Sequence, residues 1–142
     1  MQFRTMALSL TAVMLLIMGS AYAQSAKSDK ATDDSKKHQM SAQELKQRLD
    51  KGEKVIVVDA RHNLNGQIIK NAVHVPVDDL AEWAKNIDKN TVIVTYCTCP
   101  HDEAAEKEVK DLLGMGFTNP YSLMGGLDAA RNAGIEIATP KE

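Results

Sequence analysis

The sequence predicts an α/β domain in which a mainly parallel sheet of four to five strands is flanked by helices on both faces. Strand-like and helical segments alternate along the chain, which is typical of β-α-β units. The β-branched run at 55–58 has no polar alternation, as in strands buried on both faces. The run at 91–96 is the clearest strand of the chain.

The N-terminus has the pattern of a secretory signal peptide. Arg4 precedes an apolar run at 6–18, and the small-x-small sequence at 21–23 follows it. At about 13 residues the run is shorter than the roughly 20 that span a bilayer, which disfavours the alternative of an uncleaved anchor. We expect a signal peptide at 1–23, a mature chain starting at Gln24, and a periplasmic or secreted protein not attached to the membrane.

The remaining chain predicts one domain preceded by a polar segment. Residues 24–39 are rich in Ser, Lys, Asp and Ala and have no apolar period, which predicts a flexible linker before a domain at 40–142. The whole chain has 17 Lys and Arg against 19 Asp and Glu, without a basic cluster. This balance argues against binding to nucleic acid or to an anionic membrane. We expect a monomer.

The first helix of the domain has signals at both ends. Ser41 as N-cap and Glu44 three residues later form a capping box, and Met40 is placed to pack against Leu45. Gly52 is a typical residue to end the helix.

The later segments continue the alternation. Strands are predicted at 55–58, 72–75, 91–96, 117–123 and, as a small addition, 135–137, and helices at 78–84, 102–115 and 125–133. Ligands bind beyond the carboxyl ends of the strands in such sheets. Cys97 directly follows the 91–96 strand, so it lies where an active site is expected.

The loop after this strand suits sulfur chemistry. A strand–loop–helix connection collects backbone N–H groups, and the helix N-terminus adds partial positive charge. We therefore expect the pKa of Cys97 to lie below the free value of about 8.5, and the same amides to hold a persulfide anion. The alternative is an ordinary small buried side chain at a strand end.

Four motifs, in order and at suitable distances, resemble those of the rhodanese family. The motifs are Asp59-Ala60-Arg61, the stretch from Gly66 to Pro76, Tyr96-Cys97, and the segment from Met124 to Ala130, in which Ala130 stands where Trp is usual. The similarity as a whole spans roughly Ser41 to Ile137.

The resemblance implies a rhodanese-like fold and sulfur transfer. Cys97 would be the nucleophile that accepts sulfur, and Asp59 and Arg61 would support the loop through an internal salt bridge. The expected donors and acceptors are small thiols or persulfides, or a protein thiol. No metal or other cofactor is expected.

The loop departs from the family at the position that usually carries arginine. That position is Asp102, after Thr98, Cys99, Pro100 and His101. A carboxylate there would repel thiosulfate, so a neutral or protein-bound persulfide or a small thiol is the better donor. The related phosphatases have their arginine one residue later, where Glu103 stands, which argues against phosphoryl transfer.

Cys99 is the second departure, and it leaves three hypotheses. It resolves a persulfide or sulfenic acid on Cys97, it forms a thiol–disulfide redox couple with Cys97, or both thiolates bind a soft metal such as Cu(I), with or without His101. A spectator role is the remaining alternative.

Two further function classes stay open. One is a non-catalytic rhodanese module that binds a protein partner, and the other is a thiol–disulfide oxidoreductase. Among the remaining histidines, His62 is a candidate for substrate binding at the rim, His101 is either a general acid or an exposed residue, and His74 is more simply a packed or surface residue.

Overall fold

The computed structural model describes residues 36–64 and 66–140. The signal peptide predicted at 1–23 and most of the predicted linker lie outside this part of the chain. None of the helices in these residues is long and apolar enough to cross a membrane.

A parallel sheet forms the centre of the described domain. Its five strands have the spatial order β1-β6-β5-β2-β4, with the bounds β1 Gln39–Met40, β2 Val55–Asp59, β4 Val73–His74, β5 Val92–Tyr96 and β6 Asn119–Leu123. The short strands β3 (Ile68–Ile69) and β7 (Ile137–Ala138) form a separate antiparallel pair. In the β2–β5 register Asp59 lies opposite Tyr96, so both strands end at the same edge, beside Cys97.

Helices cover both faces of the sheet, as the sequence predicted. Their bounds in the described residues are α1 Ala42–Asp50, α2 Leu80–Trp83 with a 3₁₀ turn at Ala84–Asn86, α3 Glu103–Gly114 and α4 Gly126–Asn132. Helices α1 and α4 pack on one core with Val94 and Tyr96 of β5. Helices α2 and α3 pack on the other with Ile93. Neighbouring residues of β5 thus point to opposite cores.

Only one of the two hydrogen bonds of the predicted capping box forms at the start of α1. The Glu44 amide donates to Ser41 Oγ at 3.2 Å, whereas the Glu44 carboxylate accepts from Arg48 Nη2 at 2.8 Å. Met40 is fully buried, and the backbone of Gly52 is left-handed, with φ +71°. These residues therefore set the bounds of the helix as the sequence predicted.

The predicted linker is too long by at least one residue. Gln39 belongs to the edge strand β1 and lies opposite Ser122 of β6. The β3 strand was also missed, and the predicted strand at 135–137 is found at 137–138 instead. Strands of two residues have no measurable period of their own, because their partners elsewhere in the chain define them.

Glu108 is a carboxyl group inside the core. Its side chain on α3 is fully buried, and neither carboxyl oxygen has a hydrogen-bond partner within the described residues. Burial raises the pKa of Glu108 to about 8, and the nearby charges of Asp59 and Asp111 act in the same direction, against Lys107. The group is therefore mostly protonated at neutral pH.

We predict that Glu108→Gln reduces the dependence of stability on pH. The unfolded chain releases this proton near the ordinary pKa of 4.5, whereas the folded chain keeps it up to about pH 8. The free energy of unfolding of the unmodified protein should therefore fall as the pH rises between these values. Urea unfolding at a series of pH values measures this change in the free energy of unfolding. The control is Glu103→Gln, at an exposed position of the same helix. Equal pH slopes in the Glu108→Gln variant and the unmodified protein would contradict this prediction.

Candidate active site

Cys97 lies at the junction of β5, the following loop and α3. Its side chain is fully buried, whereas Thr98, Cys99, Pro100 and His101 are exposed. The Cys99 amide donates to Cys97 Sγ at 3.3 Å, and the amide of Ala105, in the first turn of α3, also donates to this thiol. Backbone N–H groups therefore converge on the sulfur, as the strand–loop–helix connection predicted.

The expectation that the pKa of Cys97 lies below that of a free thiol is wrong. Burial, together with the smaller effect of the adjacent Cys99 thiol, raises the pKa of the Cys97 thiol to about 11. The amides of Cys99 and Ala105 lower the pKa, but their effect is smaller than that of desolvation. Cys97 is therefore a neutral thiol in the resting protein.

Asp59 forms the predicted ion pair with Arg61. The Asp59 carboxylate, fully buried, accepts from Arg61 Nε at 2.8 Å and from Arg61 Nη2 at 2.5 Å. It also accepts from the Tyr96 hydroxyl at 2.9 Å, and that hydroxyl accepts from the Ile69 amide at 3.1 Å. Burial raises the pKa of Tyr96, which keeps the hydroxyl proton available to the carboxylate. The network connects β2, β5 and β3 immediately before Cys97.

Arg61 extends this network to the loop before β3. Arg61 Nη2 donates to the Gln67 carbonyl oxygen at 3.0 Å, and His74 Nε2 donates to the Arg61 carbonyl oxygen at 2.7 Å. His74 is thus a packed residue of β4, as the simpler hypothesis had it. His62 and His101 are both exposed.

Asp102 attaches the end of the cysteine loop to the turn before α4. Its backbone is left-handed, with φ 54°, and its carbonyl oxygen accepts from the Glu106 amide at 2.9 Å as α3 begins. Asp102 Oδ2 accepts from the Gly125 amide at 2.9 Å. The carboxylate at the usual arginine position is therefore engaged in holding the loop.

Gly126 fixes the other end of the same loop. A Cβ atom at this position, where φ is +52°, would lie 2.1 Å from the Cys97 carbonyl oxygen. Such a distance is well inside van der Waals contact, so the residue here has to be glycine. The close approach gives a physical reason for the Gly-Gly pair in the 124–130 motif.

The described residues contain no group of three or more His, Cys, Asp and Glu side chains that could hold a metal ion. Both cysteines are free thiols. Sequence reasoning missed three features of the site: the Tyr96 hydrogen bond to Asp59, the Asp102 link to Gly125 and the approach of Gly126. Only the hydrogen bond between Tyr96 and Asp59 had a signal in the sequence, since these two residues end neighbouring strands.

We predict that Tyr96→Phe lowers the free energy of unfolding by about 1–3 kcal/mol, because it leaves the buried Asp59 carboxylate and the Ile69 amide each without one hydrogen bond. Tyr121→Phe, at a partly exposed tyrosine on β6, should change it by less than about 0.5 kcal/mol. Chemical denaturation of both variants measures the difference. Equal effects would show that the Tyr96 hydroxyl contributes nothing.

Gly126→Ala should destabilise the protein more than Gly52→Ala does. Both glycines have positive φ, but a Cβ at Gly52 meets no atom within 4 Å. The Gly52 change therefore carries only the cost of left-handed backbone, about 1–2 kcal/mol, and the Gly126 change adds about 1–3 kcal/mol for overpacking. Thermal and urea unfolding measure both. Equal losses would contradict the close approach to Cys97.

Known proteins share this fold and these motifs. Residues 41–133 match the sequence profile of the Rhodanese-like domain. A thiosulfate sulfurtransferase GlpE of Coxiella burnetii is 28% identical over 76 residues, which cover 52% of this chain and 69% of that protein.

Solved structures show the same similarity. The rhodanese-like domain of the Alr3790 protein from Anabaena sp. is 30% identical, with a TM-score of 0.63, over 72% of this chain and 80% of that one. The BH2092 protein from Bacillus halodurans is 26% identical, with a TM-score of 0.65, over 77% of this chain and 82% of that one. The fold, the ordered motifs and the profile match together show that this chain belongs to the rhodanese-like domain family.

Proposed function

We propose that this protein is a sulfurtransferase of the periplasm or the cell exterior that carries sulfane sulfur as a persulfide on Cys97. The observation that carries the proposal is the position of Cys97 Sγ at the end of a central strand, where it accepts from the amides of Cys99 and Ala105. The similarity to a thiosulfate sulfurtransferase supports the reaction class. The location rests on the signal-peptide pattern of residues 1–23.

The reaction needs no external oxidant. The sulfur of Cys97 attacks the outer sulfur of a donor persulfide, the donor S–S bond breaks, and the donor leaves as a thiol with the proton that Cys97 loses. An acceptor thiolate then attacks the outer sulfur of the Cys97 persulfide, and Cys97 leaves with its electron pair. The converging amides stabilise an anionic persulfide between these two steps.

The charges of the loop favour donors other than thiosulfate. From Cys97 to Glu103 the loop carries the carboxylates of Asp102 and Glu103 and contains no Lys or Arg. A dianion would approach these carboxylates without a cation to bind it. A protein-bound persulfide or the persulfide of a small thiol meets less repulsion.

Cys99 supplies a second thiol that modulates or resolves the persulfide. Its thiol interacts with the Cys97 thiol from two residues along the chain. Attack of the Cys99 thiolate on the inner sulfur of a Cys97 persulfide gives a Cys97–Cys99 disulfide and expels hydrosulfide. The resulting ring is small and strained, so a dithiol reductant restores both thiols easily.

We expect the purified protein, reacted with cysteine persulfide, to gain the mass of one sulfur atom on Cys97. Intact-mass measurement detects the gain, and fragmentation between the two cysteines locates it. Cys97→Ser should slow sulfur transfer to an acceptor thiol by about 100-fold or more, because the variant lacks the thiol that carries the sulfur beside the converging amides. Tyr121→Phe serves as the parallel control and should transfer at the unmodified rate.

Other outcomes distinguish the alternatives. A reversible Cys97–Cys99 disulfide without any sulfur adduct would favour the thiol–disulfide oxidoreductase. Absence of both adduct and disulfide, across several donors, would favour the partner-binding module.

A further inference from the structure

The two thiols of the loop differ sharply in access. Cys97 is 0% exposed, whereas Cys99 is exposed. A donor sulfur must approach its nucleophile in line with the S–S bond that breaks, which requires an open path to that nucleophile. A donor outside the protein has such a path to Cys99.

The contacts around Cys97 leave little room for a donor. The amides of Cys99 and Ala105 donate to its sulfur, and Gly126 packs against its carbonyl oxygen. The Asp102 link to Gly125 holds that turn in place. A donor that reacted directly with Cys97 would first have to displace part of this loop.

The protonation of the Cys97 thiol, like its burial, disfavours direct reaction with an external donor. With a pKa of about 11, about one Cys97 in ten thousand is a thiolate at pH 7. The thiolate is the reactive form in sulfur exchange, so an external donor seldom meets a reactive Cys97.

From this asymmetry we infer that Cys99 is the thiol that first takes the sulfane sulfur from the donor and passes it to Cys97. The inference rests on the proposed sulfurtransferase function and replaces direct loading of Cys97 by the donor with loading through Cys99. Cys99 is then a catalytic residue on the loading side of the reaction, and Cys97 carries the sulfur whose outer atom the acceptor attacks.

Both steps balance without a co-reactant. The Cys99 thiolate attacks the outer sulfur of the donor persulfide, the donor S–S bond breaks, and the donor leaves as a thiolate that takes up a proton from water. The Cys97 sulfur then attacks the outer sulfur of the Cys99 persulfide, the Cys99 S–S bond breaks, and the proton of Cys97 goes to the departing Cys99 sulfur. The two thiols already interact, so this proton transfer is local.

Single-turnover loading with isotope-labelled cysteine persulfide tests the order. In Cys99→Ser, labelling of Cys97 should be slower by about tenfold or more, because the rate of exchange depends on access and on the thiolate fraction. Serine keeps the backbone N–H that donates to Cys97 Sγ, so the variant removes only the thiol. In Cys97→Ser, the label should remain on Cys99, at a loading rate close to that of the unmodified protein.

The controls separate failure of the order from failure of the function. The double variant Cys97→Ser/Cys99→Ser should carry no label, and urea unfolding of each variant verifies that it is folded. Labelling of Cys97 at the unmodified rate in Cys99→Ser, with no label on Cys99 in Cys97→Ser, overturns the order and leaves the sulfurtransferase intact. Absence of label from the unmodified protein overturns both.

Discussion

The buried carboxylate of Asp59 is the group on which the geometry of the cysteine loop depends. It ends β2, and it is held by the guanidinium of Arg61 and the hydroxyl of Tyr96, the last residue of β5. Because Tyr96 also accepts from Ile69, one carboxylate fixes the ends of three strands. Removing one partner from such a buried pair typically costs about 3–5 kcal/mol, far more than a surface ion pair contributes. The position of Cys97, one residue after Tyr96, is therefore set by electrostatics as well as by the sheet.

The loop that follows is fixed at both ends and exposed in the middle. The Gly125–Gly126 turn contacts it twice, through the Cys97 carbonyl oxygen and the Asp102 carboxylate. Residues 98–101 between these points face solvent. A loop held in this way keeps the amides near Cys97 in position while it offers the Cys99 thiol to the outside. The loop thus combines fixed ends with an accessible middle within six residues.

The sequence predicted the features that arise from local patterns and missed those that arise from packing. The strand at Val92–Tyr96, the Ser41 cap and the Asp59–Arg61 pair each had a signal within a few residues. The pKa of Cys97 did not. The expected lowering rested on the loop amides and the helix N-terminus, but the desolvation of the thiol in the folded chain outweighs both. No local pattern reports how completely the rest of the folded chain buries a sulfur atom.

The same limit applies to Asp102, and here it changes how the loop is interpreted. In the sequence, Asp102 stands where the family usually has arginine, so the cation that would bind an anionic donor is absent from this position. In the structure, the Asp102 carboxylate accepts a hydrogen bond from the Gly125 amide, and this bond helps to hold the loop. The two aspects are linked, since one side chain at this position cannot both bind a dianion and accept from a backbone amide. An arginine at position 102 would supply positive charge but leave the Gly125 N–H without its acceptor and the end of the loop without its attachment. The charge at this position and the support of the loop are therefore coupled.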